Sequence, residues 1–171
     1  MRVVLTDREA ARLYALAGSN GARVAVKACH ASGKTFVAAD AVLWWVVCGG
    51  IAVTTAPTWT QVKELLWGHI AKAHAAARFP LGGTLLQTEW RLGPDNYAIG
   101  LSTNEGVRFQ GFHAPHLLIV LDEAVGVRPD VWEAIEGARA GGDVSVLALG
   151  NPTVPSGPFH DASTSQRDTW K

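Results

Sequence analysis

Short, almost wholly apolar runs recur along the chain: RVAVKA (23–28), IAVTTAPT (51–58), HLLIVLDEA (116–124) and VSVLALG (144–150). Each is bounded by glycine, proline or charge, the pattern of a strand buried on both faces. The segments between them have helical spacing. Residues 34–47 predict an apolar helix. Val62, Leu65, Leu66, His69, Ile70 and Ala73 form one stripe of a helix over about 59–77. Near the start, Thr6 and Glu9 fit a capping box, and Ala10, Leu13, Tyr14 and Ala17 continue it as an amphipathic helix over 7–17. Residues 84–102 alternate apolar and polar around Gly93-Pro94-Asp95-Asn96, which predicts a β-hairpin. Pro129 suits a helix start, with Trp132, Ile135 and Ala138 on the inner face. NPTVPSGPF after residue 150 reads as a loop, and the polar stretch 161–171 as a linker.

Strands alternating with helices predict an α/β fold with a mainly parallel central sheet between helical layers, carrying a small β-hairpin insertion. Ligands in such sheets bind beyond the carboxyl ends of the strands. That places loops 29–35, 56–60, 122–126 and 150–153 around one site. At 171 residues, with no repeat or low-complexity segment, the chain is expected to be a single domain.

Composition narrows the possible functions. Fifteen basic and fifteen acidic residues leave net charge +0, which argues against a strongly basic nucleic-acid module. Cys29 and Cys48 make neither a disulfide framework nor a paired-cysteine zinc signature, so a reducing cytoplasm is the simpler setting. AADAVLWWVVCGGIAV contains Asp40 and is broken by Gly49-Gly50, well short of the ~20 apolar residues a membrane span needs. No secretory signal is visible, and a soluble protein is expected.

Three motifs carry the candidate chemistry. Ala28-Cys29-His30-Ala31-Ser32-Gly33-Lys34-Thr35 lies between a buried strand and a helix, the setting of a phosphate-binding loop (P-loop). There the free N–H groups and dipole of a helix N-terminus face an anion. Lys34 would reach the β- and γ-phosphates of ATP, and the Thr35 hydroxyl would ligate Mg²⁺. The apolar run 116–121 ends in Asp122-Glu123. Asp122 at that tip could hold Mg²⁺ through water, while Glu123 could orient and deprotonate an attacking water, a pairing that points to hydrolysis. The third motif is Gly150-Asn151-Pro152-Thr153 after the last strand, where Asn151 could touch the γ-phosphate or the lytic water; a plain turn is the simpler alternative.

Together VKACHASGKT, TTAPTWTQV, FQGFHAPHLLIVLDEA and LALGNPTVPSGPFHDA, spanning roughly residues 23–162, resemble the ATPase region of large terminase subunits of tailed bacteriophages. The resemblance implies a P-loop NTPase fold and an ATP-driven motor that packages double-stranded DNA into a procapsid, in the cytoplasm of the infected host. It implies a homo-oligomeric ring working with a portal and a small terminase subunit. Carried over by motif, Lys34 and Thr35 match the phosphate and Mg²⁺ residues, Asp122 the metal aspartate and Glu123 the catalytic glutamate. Asn151 falls in the motif thought to couple hydrolysis to movement. Cys29, His30, Ala31, Ser32 and Gly33 complete the nucleotide-binding loop.

The chain departs from the family pattern in two places. Many terminases carry an arginine within the phosphate loop, where this chain has His30, preceded by Lys27; Arg108 and Arg128 are candidates for an arginine finger. The family also continues into a nuclease domain. The expectation is therefore a fragment, a truncated product or a very small variant. Its 15 acidic residues are scattered, so no nuclease activity is expected. A helicase-like translocase outside packaging and a non-catalytic remnant are the alternatives. Tyr14 reads as core rather than an adenine platform, and His113 and His116 as structural rather than metal ligands. Trp44 and Trp45 fall in the apolar helix, Trp67 reads as a helix-surface or interdomain residue, and Trp59 at a loop rim is the one candidate for DNA contact.

Overall fold

The computed structural model describes residues 21–103, 109, 111–112, 114–140 and 142–171. The helix expected over 7–17, with Tyr14, lies outside them, as do Arg108 and His113.

The described elements run in the order β1 (Arg23–Lys27), α1 (Lys34–Val47) and β2 (Ile51–Thr55), then a π-helical segment (Gln61–Leu66) that continues as α2 (Trp67–Ala75). They continue with β3 (Thr84–Leu85), β4 (Glu89–Arg91), β5 (Tyr97–Gly100), β6 (Leu117–Leu121), a 3₁₀ turn (Ala124–Gly126), α3 (Pro129–Ala140), β7 (Val144–Gly150) and α4 (Pro158–Asp161). One seven-stranded sheet has the order β1-β7-β6-β2-β5-β4-β3. The first five strands in that order pair in parallel, and β4 and β3 close the far edge antiparallel. This is the expected mainly parallel α/β architecture.

The apolar runs become central strands because both of their faces are covered. Leu118 and Val120 of β6, with Leu147 and Leu149 of β7, pack in one core with α1, α2 and the π segment. Leu117, Ile119, Leu121, Val146 and Ala148 pack on the other face with α3 and α4. Each of the valine, leucine and isoleucine side chains contributes about 1.5–3 kcal/mol on leaving water. The result is three layers with the sheet in the middle.

Several elements differ from expectation. β2 ends at Thr55 rather than 58, since Pro57 has no N–H to continue a ladder. β6 ends at Leu121, so Asp122 and Glu123 stand just past the strand. The hairpin over 84–102 turns at residues 92–96, where Leu92 N–H donates to Asn96 O at 2.9 Å. Its second arm is part of the main sheet, because β5 pairs in parallel with β2. In the helix over 59–75, a π turn holds an extra residue per turn. It brings Trp67 into the core, 1% exposed, and leaves Leu65 at 53%, the reverse of the expected stripe. The indole N–H of Trp67 donates to Thr54 Oγ1 at 3.0 Å. Trp45 is buried, stacked on His116 at 4.1 Å, whereas its neighbour Trp44 is exposed.

The tail expected as a linker is part of the fold. After α4 it runs to the outer edge of β1, where Lys171 N–H donates to Arg23 O at 2.8 Å and Ala25 N–H donates to Lys171 O at 2.9 Å. Trp170 is 7% exposed, its ring 5.9 Å from that of Trp132 and under the Arg23 guanidinium. Trp170→Ala is expected to remove about 3–5 kcal/mol of stability, the range for emptying a buried tryptophan site. Urea unfolding of the two chains measures this, and an unchanged midpoint would return the tail to the status of a linker.

Candidate functional site

The topology brings the motifs together. β7 lies between β1 and β6, so the loop after β1, Asn151 after β7 and Asp122 after β6 emerge side by side at the carboxyl edge. Ala28 N–H donates to Gly150 O at 3.1 Å, tying the start of the loop to the end of β7.

Two residues turn the loop back on itself through positive φ, Ala31 (58°) and Gly33 (83°). Gly33 is the N-cap of α1; no side chain caps the helix, and its first turn holds no acid. Its leading N–H groups therefore have neither a capping oxygen nor a carboxylate competing for them, as anion binding requires. Cys29, His30, Ala31 and Ser32 lie along the exposed part of the loop, and Thr35 is half-buried.

Lys34 is 5% exposed. Its ammonium donates to Cys29 O at 2.8 Å across the loop and stands 3.9 Å from Glu123 Oε1. Thr35, one residue on, donates its hydroxyl to Asp122 Oδ2 at 3.1 Å. The second Asp122 oxygen accepts Glu123 N–H at 3.1 Å. Asp122 is 4% exposed, and burial raises its pKa above the ordinary 3.8. The Thr35 hydrogen bond opposes the rise, the nearby Glu123 charge adds to it, and the Glu123 N–H and Lys34 oppose it.

Glu123 adopts left-handed backbone, φ 49° and ψ 47°, although it is not glycine. Such a conformation costs roughly 1–3 kcal/mol and survives where neighbouring contacts impose it. It turns the carboxylate out of the strand direction, toward Lys34.

Lys34, Thr35, Asp122 and Glu123 thus converge, and Asn151 sits half-buried between the loop and Asp122 in the sheet order. Arg128 lies at the start of α3, exposed and held bidentate by Asp130 at 3.0 and 2.8 Å. Thr54 and Thr55, from the TTAPTWTQV motif, are buried and bond into the sheet, Thr55 to Leu101 O at 2.9 Å. Two supports escaped the sequence reading. Thr58 and Gln61 form a reciprocal capping pair, with Thr58 N–H donating to Gln61 Oε1 at 3.0 Å and Gln61 N–H to Thr58 Oγ1 at 3.2 Å. The Thr-x-x-Gln spacing could have revealed it. The Cys29 carbonyl that holds Lys34 leaves no signature in side-chain types.

The raised pKa has a consequence for stability. The folded chain keeps the Asp122 proton to higher pH than the unfolded chain does. That contribution is complete below about pH 3.8 and is lost as pH rises through the raised value. Asp122→Asn carries no charge, and with its Oδ1 still accepting the Glu123 N–H its amide N–H can donate to Thr35 Oγ1. It is expected to melt higher than wild type at neutral pH without metal or nucleotide, the gap closing on acidification. Thermal melts from about pH 3 to about pH 7.5 measure this; a variant no more stable at neutral pH would contradict the burial argument.

No family model matches the sequence. Over 52 residues the chain is 48% identical to a curated protein of Enterobacteria phage P7 named "Probable terminase, large subunit". The match covers 30% of this chain and 10% of that protein. Among solved structures, the large terminase ATPase domain of Thermus phage P74-26 superposes with a TM-score of 0.60 at 21% identity, over 89% of this chain and 71% of that one. The large terminase of a second thermophilic bacteriophage, solved in complex with ADP, superposes with a TM-score of 0.69 at 9% identity, over 98% of this chain and 44% of that one. In fold across most of its length, and in sequence over that shorter segment, the chain is similar to the ATPase region of bacteriophage large terminase subunits.

Proposed function

We propose that the chain is the ATP-hydrolysing motor domain of a phage large terminase subunit. Hydrolysis would drive double-stranded DNA into a procapsid in the cytoplasm of the infected bacterium. The observation that carries the reading is the 3.1 Å hydrogen bond from Thr35 to Asp122, which joins the phosphate loop to the strand-end carboxylate. Lys34 and Glu123 stand 3.9 Å apart beside it. The similarity to large terminase ATPase domains, one of them in a terminase solved with ADP, supports the same reading.

The residues present suit a magnesium nucleotide. The Thr35 hydroxyl and the Asp122 carboxylate are the hard oxygen donors Mg²⁺ prefers, and a cation there would stabilise the charge that burial disfavours on Asp122. When bound, the ion would neutralise developing phosphate charge. The open N-terminus of α1 and the loop from Cys29 to Gly33 hold the phosphates. Lys34 exchanges the Cys29 carbonyl and the Glu123 carboxylate for phosphate oxygens, and Glu123, freed of its counter-ion, accepts a proton from the attacking water. Asn151 would sense the γ-phosphate or the attacking water. A ring of copies, the portal and the small terminase subunit are the partners this role requires, and DNA cleavage is assigned to no residue of this chain.

Titrating a fluorescent ATP analogue into wild type and Lys34→Ala tests the binding site; equal affinity rejects it. Glu123→Gln is expected to hold affinity within about 2-fold yet lose turnover by about 10²-fold or more, as for a lost general base. Phosphate release reads the difference, and unchanged turnover in the variant removes Glu123 from the chemistry.

A further inference from the structure

The turn that carries Glu123 is fixed by two neighbouring loops. Beyond Asp122 the chain leaves the sheet and closes through Gly126 N–H to Glu123 O at 3.0 Å and Val127 N–H to Ala124 O at 3.3 Å. On one side Gly126 lies against a proline: a Cβ there would stand 2.7 Å from Pro57 Cγ and 3.2 Å from Pro57 Cβ. On the other side Val125 closes over the end of β7, where a Cβ on Gly150 would meet Val125 Cγ2 at 3.3 Å and Phe159 Cε1 at 3.0 Å. Pro57 is itself held. Its carbonyl accepts the buried Thr103 hydroxyl at 3.2 Å, and the Thr58–Gln61 capping pair begins at the next residue.

Gly126 is not among the residues with positive φ. Alanine is therefore compatible with its backbone conformation, and among the described residues only Pro57 excludes it. Carbon atoms in comfortable contact lie about 3.5–4.0 Å apart, so a methyl group at 126 must move either Pro57 or the turn by about 1 Å. Pro57 is tied to Thr103 and to the start of a helix. The turn meets the same methyl group from the other side, and any part of the shift that falls on it moves Glu123.

We propose that Pro57 and Gly126 are a positioning pair for the reaction, the proline ring seating the 123–126 turn so that the Glu123 carboxylate stays over the phosphate loop. The proposal rests on the reading of Glu123 as the base of ATP hydrolysis. It assigns part of the TTAPT segment a task in catalysis, though neither residue touches nucleotide. A displacement of about 1 Å in a reacting group can lower turnover by as much as 10²-fold while leaving binding contacts in place.

The test compares wild type, Gly126→Ala, Pro57→Ala, the double variant and Glu123→Gln, all as the full 171-residue chain. Turnover, affinity for the fluorescent ATP analogue and a crystal structure are the readouts. Gly126→Ala is expected to lose about 10- to 100-fold in kcat with affinity within about 2-fold, and the double variant to recover to within about 3-fold of Pro57→Ala. A general loss of folding would lower binding as well and would not be relieved by trimming a proline. Wild-type kcat in Gly126→Ala, or no recovery in the double variant, overturns the proposal. If Gly126→Ala does not fold, Thr103→Val loosens Pro57 without adding bulk; a loss of about 3-fold or more in kcat at unchanged affinity sustains the pair, and wild-type kcat overturns it. If wild type hydrolyses no ATP, the motor reading fails, and the crystal structures still decide the pair. Glu123 shifted in Gly126→Ala and restored in the double variant supports it, and Glu123 unmoved refutes it.

Discussion

Asp122 is a carboxylate at the end of a strand whose five residues are all buried, and the cation that acts on it is Lys34, across the loop. A charge in that position is costly unless oxygen-directed donors or a metal ion answer it. Much of the site can be read as an answer. Thr35 donates from the first turn of α1 and the Glu123 amide donates from the turn beyond. These bonds offset the burial only in part, since the carboxyl pKa stays above its ordinary value. The part left uncompensated disfavours the charged form of Asp122 in the folded chain.

The same logic applies to Lys34. A nearly buried ammonium with one carbonyl and one carboxylate within reach is held in place without being saturated, because it has three protons to donate. Its two partners belong to the phosphate loop and to the turn after β6. Drawing the ammonium toward an anion therefore changes the surroundings of Glu123 directly. One side chain, Lys34, thereby links the phosphate loop to the turn that carries Glu123, over a distance of 3.9 Å.

The sequence made visible the strands whose faces are both buried, because a continuous apolar run has no other comfortable place in an α/β fold. In a parallel sheet the residues that end four such runs lie at one edge, which is why the sequence alone groups Lys34, Thr35, Asp122, Glu123 and Asn151. The exchange of Leu65 for Trp67 in the core was not legible, because apolar spacing does not distinguish an α-turn from a π-turn. The tail misled for a different reason. Residues 163–169 are mostly polar, and what docks them is Trp170 with the backbone of Lys171, a long-range contact with the edge of β1. Gly126 against Pro57 is likewise a contact between residues far apart in sequence, and glycine carries no hint of what it makes room for.

Spatial order, rather than chain order, explains why Asn151 belongs with the other four. β1 and β6 are next-nearest neighbours in the sheet, so their tips lie about 10 Å apart, twice the usual strand spacing. A direct contact between the phosphate loop and Asp122 is impossible at that separation unless side chains reach across. Lys34 and Thr35 do so from α1, over the end of β7. The strand between β1 and β6 ends in Gly150, where a Cβ would stand 3.0 Å from Phe159 Cε1 and 3.3 Å from Val125 Cγ2. Asn151 follows at once, at the carboxyl edge between the tips of β1 and β6. Through Gly150 the same strand end lies against Val125, in the turn that carries Glu123.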